Sequence, residues 1–229
     1  MENGAKTLKI LMAQLNPTVG AVAANAALLR SIRAASGDAD VIVAGELFLT
    51  GYPPEDLVLK RAFLARVAEE AEKLVADTED GGPALVFGLP VAENAVLYNS
   101  VIVADGGQAA VRHKVHLPNY AVFDEKRLFS AGNMPEPLEL RGLRVGVPIC
   151  EDIWFADVCA HLKARGAELL ISPNGSPFER GKHFKRLQHV TARVKETGLP
   201  LVYVNQIGGQ DELVFDGASF AVNGDGEVA

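Results

Sequence analysis

The chain has little cysteine and no excess of positive charge, and both shortages narrow what it can be. Two cysteines in 229 residues are too few for a disulfide framework, so a reducing, cytoplasmic setting is expected. Neither CxxC nor HExxH occurs and the five histidines are scattered, so no metal is expected. Lysine and arginine number 22 against 29 acids, for a formal charge of −7. Phosphate binding needs a dense basic face, and none is present, so nucleic acid is not an expected partner. The first residues, "MENGAKTLKILMAQL", lack the apolar core and cleavage site of a secretory signal, and no apolar run is long enough to span a bilayer; no membrane partner is expected. Internal repeats and low-complexity linkers are absent too. The composition, 48% hydrophobic and 22% charged, is that of an ordinary globular protein, and 229 residues fit one large domain better than two.

What is present alternates between strand-like and helix-like patterns. "LKILMAQLN" (8–16) predicts a strand and residues 21–36 a helix, with Leu28, Leu29, Ile32 and Ala35 at helical spacing. "DVIVAGELFLT" (40–50) predicts a buried strand ending in the turn-forming "GYPPEDL". An amphipathic helix over 61–77 follows. "ALVFGLPVAE", "LYNSVIVADGGQ" and "AAVRHKVHL" predict three strands, the last two joined by a hairpin turn at "DGG". Two strands around Gly142, a helix over 154–165, a strand at "AELLISPNG", a helix near 183–197, a strand at "LPLVYVNQIGG" and a hairpin turning at Asn223-Gly224 complete the list. Helix-linked strands mixed with hairpins imply an α/β sandwich, mixed sheets inside and helices outside.

In such a fold, reactive groups sit where buried strands give way to loops. Glu46 interrupts "VIVAGELFL", Lys114 interrupts "VRHKVHL", and Cys150 ends "RVGVPIC". A buried acid costs several kcal/mol without a partner, and Lys114 is the evident partner for Glu46. A cysteine attacking an amide or nitrile carbon, a carboxylate shuttling the proton and an ammonium holding the oxyanion form one coherent chemistry. Glu151 and Asp152 directly follow Cys150 and oppose a thiolate, so Lys114 is expected to supply the offsetting charge. The plainer readings are packing for Cys150, a structural ion pair for Glu46 and Lys114, and core for Cys159. A Cys–His pair would need His116, which shares the Lys114 face where His113 does not.

Together these segments resemble the nitrilase, or carbon–nitrogen hydrolase, superfamily, whose members carry a Glu-Lys-Cys trio in this chain order. The match lies in "AGELFLTGYPPEDL", "VRHKVHLPNY" and "GVPICEDIW" and covers essentially the whole chain. It implies a four-layer α-β-β-α sandwich with residues 1–229 as one carbon–nitrogen hydrolase domain. "GYPPEDL", "LPNYAVFDEKRLF", "CEDIW" and "NGSPFERGKHFKR" are similar, more narrowly, to the glutaminase domains of glutamine-dependent NAD synthetases. That resemblance implies Glu46 as general base, Lys114 as oxyanion-stabilising residue and Cys150 as nucleophile forming a γ-glutamyl thioester. Glu125 matches a second glutamate that orients the lysine; its alternative is a surface ion pair with Lys126 or Arg127. Tyr120, Ser176 and Lys182 fall on glutamine-contacting positions, with Phe123 and Glu151 as further pocket residues, and Ser176 has a backbone hydrogen bond as its alternative.

L-glutamine itself requires both signs of charge in its pocket: Glu151 or Asp152 toward the amine, and Lys182 or Arg180 toward the carboxylate. The resemblance further implies a C-terminal synthetase partner that uses ATP, with magnesium, to amidate nicotinic acid adenine dinucleotide. No SGGxDS loop of that partner occurs here, so this domain is expected to need no cofactor of its own. Homo-oligomers are common in the superfamily, and one is expected. Two alternatives stay open: a free-standing hydrolase of another small amide or carbamoyl compound, and a catalytically silent docking module.

Overall fold

The computed structural model describes residues 7–228; residues 1–6 and 229, at the ends of the expected 1–229 unit, lie outside the described residues. The first half comprises β1 (Ile10–Met12), α1 (Val22–Ala35), β2 (Val41–Val43), α2 (Arg61–Ala76), β3 (Ala84–Glu93), β4 (Val96–Asp105) and β5 (Gln108–His113). Its strands form one sheet in the order β1-β2-β3-β4-β5, parallel through β3 and antiparallel beyond. After a short α3 (Glu125–Leu128) come β6 (Leu138–Leu140), β7 (Leu143–Gly146), α4 (Asp157–Ala164), β8 (Leu169–Asn174), α5 (Lys182–Thr197) and β9 (Leu201–Asn205). With β12 (Phe220–Val222) they build a second sheet, ordered β12-β9-β8-β7-β6, while β10 (Ile207–Gln210) and β11 (Leu213–Asp216) pair as a separate hairpin.

Strand alternation assembles the layers. Val41, Val43, Val86 and Val103 face Val145, Ile171, Val202 and Val204 across the gap between the sheets. Ile42, Leu85 and Phe87 turn the other way, onto Ala26 and Leu29 of α1 and Val67 and Leu74 of α2. On the far side, Leu170, Leu201 and Tyr203 meet Leu162 of α4 and Val190 and Val194 of α5. The order is therefore helices, sheet, sheet, helices, as the α-β-β-α expectation requires. Strands covered on both faces read as continuous apolar runs, which is how they stand in the sequence. The β4–β5 turn carries positive φ at both Gly106 (55°) and Gly107 (74°), as a two-residue hairpin turn demands.

Four expectations need correction. The strand expected over 40–50 stops at Val43, because the chain folds over β3 at Glu46 and Leu47 (φ 47°) and buries Leu47, Phe48 and Leu49 in a turn. An apolar run alone does not distinguish a strand from a buried turn. Lys114 stands one residue beyond the end of β5, and β7 ends at Gly146, before Cys150. Pro148 has no N–H to continue a ladder. Residues Cys150–Trp154 form a 3₁₀ turn and the next helix begins only at Asp157. The strand expected at "LPLVYVNQIGG" ends at Asn205, and its last residues belong to β10, which pairs with β11, a strand that "DELVFD" is too polar to reveal.

Candidate active site

Glu46, Lys114 and Glu125 come together at the ends of the strands, the first two fully buried and Glu125 6% exposed. The Lys114 ammonium lies 2.6 Å from Glu46 Oε1 and 2.9 Å from each oxygen of Glu125. Every carboxylate oxygen has at least one donor. Glu46 Oε1 also accepts from Asn99 Nδ2 (2.8 Å), and Oε2 accepts from the Gly175 N–H (2.9 Å). Glu125 accepts from the Tyr52 hydroxyl (3.2 Å) and from Asn99 Nδ2 (3.3 Å). Glu125 is thus no surface ion pair; Arg127 instead pairs with Glu55, Asp56 and Asp124.

Two carboxylates around one ammonium leave a buried excess of negative charge when all are ionised. Burial pushes Glu125 up to about 7; Lys114 opposes the rise and Glu46 adds to it. For Lys114, burial disfavours the charge, but the carboxylates of Glu125 and Glu46 outweigh it and hold the pKa above the ordinary lysine value.

Cys150 opens its turn with φ 45°, a left-handed conformation that costs a side-chain-bearing residue about 1–2 kcal/mol. The turn is held by Asp152, whose two oxygens accept from Ile149 N–H (2.9 Å), Val115 N–H (3.1 Å) and His116 N–H (2.7 Å). This one side chain therefore ties the segment carrying Lys114 to the turn carrying Cys150. Burial pushes Asp152 up to about 6, while the backbone donors pull it down. It is 1% exposed and committed to the backbone, so of the two acids considered for a substrate amine only Glu151 remains available.

The offset expected between Lys114 and its acidic neighbours is incomplete. Burial raises the Cys150 thiol well above its ordinary value; Glu46, Glu151 and Glu125 raise it further, and the pull of Lys114 in the other direction does not offset them. The sulfur therefore rests as a protonated thiol, and to act as a nucleophile it would need a base to take its proton.

Around this centre, Tyr120 donates to both oxygens of Glu151 (2.9 and 3.0 Å) and packs edge-on against Phe123 (5.6 Å). Lys182, half-buried at the start of α5, holds its ammonium 5.3 Å from the Phe123 ring centre, and the charges of Cys150 and Glu151 act on it. Arg180 is exposed to solvent. Ser176 is buried; its N–H donates to Asn205 and its hydroxyl accepts from Arg186 Nε (3.1 Å). Its side chain is thus bound to Arg186, not to its own backbone. A groove of about 570 Å³ lined by His116, Tyr120, Lys126, Glu151 and Phe155 opens beside this group. His116 spends Nε2 on Asp157 (2.8 Å) and stacks on Phe155, which removes the Cys–His alternative. Cys159 is fully buried, its thiol pushed up to about 12 by burial. Among the described residues no group of three or more His, Cys, Asp or Glu side chains is gathered to hold a metal ion, and no helix is long and apolar enough to cross a membrane.

Four residues of the site were missed. Asn99 interrupts the strand "LYNSVIVAD" just as Glu46 and Lys114 interrupt theirs, and that signal was available. Tyr52 was read only as part of a turn. Arg186, 1% exposed, holds the Ser176 loop through three contacts and pairs with Asp216 (2.8 Å). Gly88 lets the Glu46 turn lie on β3: a Cβ there would meet Leu47 N at 2.2 Å.

A four-layer sandwich with a buried Glu-Lys-Glu cluster acting on a cysteine defines a hydrolase of carbon–nitrogen bonds, and the chain belongs to the carbon-nitrogen hydrolase family, whose model matches residues 5–229. Within that family it is similar to the glutamine-dependent NAD(+) synthetase of Rhodobacter capsulatus, at 50% identity over 226 residues, 96% of this chain and 40% of that protein. The enzyme of the same name from Xanthomonas campestris pv. campestris is 43% identical over 230 residues, 98% of this chain and 41% of the relative. The chain thus spans well under half the length of these curated relatives. Among solved structures, glutamine-dependent NAD+ synthetase from Acinetobacter baumannii superposes with TM-score 0.88 at 38% identity, covering 98% of this chain and 43% of that one. A mutant amidase from Nesterenkonia sp. AN1, with the acetamide moiety of fluoroacetamide added covalently at its active site cysteine, superposes with TM-score 0.87 at 26% identity, covering 96% and 84%.

Proposed function

We propose that this chain is a glutaminase, hydrolysing the side-chain amide of L-glutamine to glutamate and ammonia through a thioester on Cys150. In a longer protein, the ammonia would pass to a synthetase domain that uses ATP and magnesium to amidate nicotinic acid adenine dinucleotide. The observation that carries the reading is the buried Lys114 ammonium held between Glu46 and Glu125, with its charge and theirs acting on Cys150. The likeness to glutamine-dependent NAD(+) synthetases supports the choice of amide.

The proposed reaction runs in two halves. The Cys150 thiol gives its proton to Glu46 as Sγ attacks the amide carbon, and the carbonyl oxygen takes the negative charge. Lys114 has three N–H bonds, and its two contacts to Glu125 can share one of them, leaving a donor for that oxyanion. Glu46 then gives the proton to the departing nitrogen, and ammonia leaves. In the second half Glu46 takes a proton from water, hydroxide attacks the thioester carbon, and the sulfur recovers the proton as glutamate departs. Glu125, with Tyr52 and Asn99, keeps Lys114 in place. In the pocket, Glu151, oriented by Tyr120, receives the substrate amine, and Lys182 above Phe123 receives its carboxylate. Ser176 supports that loop.

The test is ammonia and glutamate release from glutamine, measured beside acetamide and N-carbamoyl amino acids. Turnover of glutamine above the others, abolished in Cys150→Ala, is the expected result. Preference for another amide would replace the substrate, and an equally active Cys150→Ala would refute the mechanism.

A further inference from the structure

We infer that Asn99 is a positioning residue that holds Glu46 and Glu125 side by side through its amide donor, and so keeps Glu46 placed to take a proton. This rests on the proposed role of Glu46 as base. Asn99 lies in β4, is fully buried, and directs its amide nitrogen to both acids, 2.8 Å from Glu46 and 3.3 Å from Glu125. Its backbone carbonyl accepts from the Lys114 N–H (2.8 Å), so the same residue also sets where the lysine leaves β5.

Three features separate this from ordinary packing. The amide orientation has only one sensible sense, since the reverse would press Oδ1 against two carboxylates. Asn99 Oδ1 makes no hydrogen bond to any described residue, so the side chain is matched to the acids rather than satisfied at both ends. A neutral donor is also the group this place calls for. A second cation would bind the carboxylates but weaken Glu46 as a base; an apolar side chain would leave no donor shared by the two acids except Lys114. Asn99 adds donors without adding charge. The other titratable groups that face the pair are Lys114 beyond β5, Tyr52 from the Glu46 turn, Tyr203 of β9, and Cys150 and Glu151 from the turn that follows β7.

Removing the donors makes both acids easier to protonate. Asn99→Leu is expected to slow glutamine turnover at pH 7 roughly 10- to 100-fold, the loss of a hydrogen bond to a charged group, with KM little changed. The acid limb of the pH profile is expected to move up by roughly one to two units. The same limb can be read without any amide substrate, from the pH dependence of Cys150 alkylation by iodoethanol: Sγ bonds to carbon, iodide leaves, and the thiol proton passes to Glu46. Peptide mass spectrometry separates Cys150 from the core residue Cys159. Asn99→Ser, which keeps one hydroxyl donor, is expected to fall between parent and Asn99→Leu, and it carries the same measurement if the leucine variant does not fold. An alkylation limb that stays in place in both variants overturns the role of Asn99, even if turnover falls. A limb that moves while the parent does not hydrolyse glutamine leaves Asn99 standing and sinks the substrate assignment instead.

Discussion

Replacing Lys114 with methionine keeps most of the length of the side chain and removes the only cation among the described residues that contacts Glu46 and Glu125. Both acids lose their closest donor, at 2.6 and 2.9 Å, in a site with no solvent to replace it. Breaking a buried pair from one side costs roughly 3–5 kcal/mol, because an uncompensated charge stays behind. The pH dependence is more telling than the size. In the parent, burial has lifted Glu125 from 4.5 to about 7. A carboxyl raised in this way stabilises the folded state below its unfolded pKa, and that contribution is lost as pH rises through the folded value. The parent therefore loses stability from this group up to about pH 7 and no further. In Lys114→Met the two acids share a proton in place of the ammonium and hold it to higher pH. Above pH 7 the variant continues to lose about 1.4 kcal/mol per pH unit while the parent does not. Urea denaturation from pH 6 to 9 reads the gap, and ammonia release reads the chemistry, where loss of an oxyanion donor costs about 10²- to 10³-fold in kcat. A gap that stays constant above pH 7, or a variant that turns over glutamine almost as fast as the parent, would refute the electrostatic account of the site.

Two further perturbations test its supports. Gly88→Ala puts a Cβ 2.2 Å from Leu47 N and 2.8 Å from Glu46 Cα, so the Glu46 turn must move; a loss of roughly 1–3 kcal/mol or more, seen in Tm, should accompany a fall in kcat. Tyr120→Phe removes the hydroxyl that orients Glu151 but leaves a half-exposed ring in place. It should raise KM for glutamine roughly 5- to 10-fold, the worth of about one hydrogen bond, with Tm unchanged; an unchanged KM would remove Glu151 from the amine subsite.

The ladder of elements was legible because most of its strands are covered on both faces and its helices on one. Glu46 and Lys114 stood out because charge inside an apolar run is costly unless paired. Asn99 interrupts its apolar run in the same way, but an uncharged amide in a strand is a weaker anomaly than a charge. Asp152 stands two residues from Cys150, where it could face a substrate amine, yet its oxygens close the turn. Charge beside a nucleophile does not say which way a side chain faces, and a 3₁₀ turn sends successive side chains in different directions.

What the order of residues determined by itself was the class of fold and the candidacy of Glu46, Lys114 and Cys150, consequences of local periodicity and of the cost of burying charge. What only the tertiary structure decided was who meets whom. Asn99 reaches Glu46 across 53 residues, Tyr52 reaches Glu125 across 73, and the Gly175 N–H reaches Glu46 across 129. No local pattern encodes such pairings, because they depend on how two sheets pack and where their strands end. The protonation state of the sulfur is of the same kind: a sum over burial, the adjacent Glu151 and three charges brought from separate parts of the chain, in which Lys114 is outweighed.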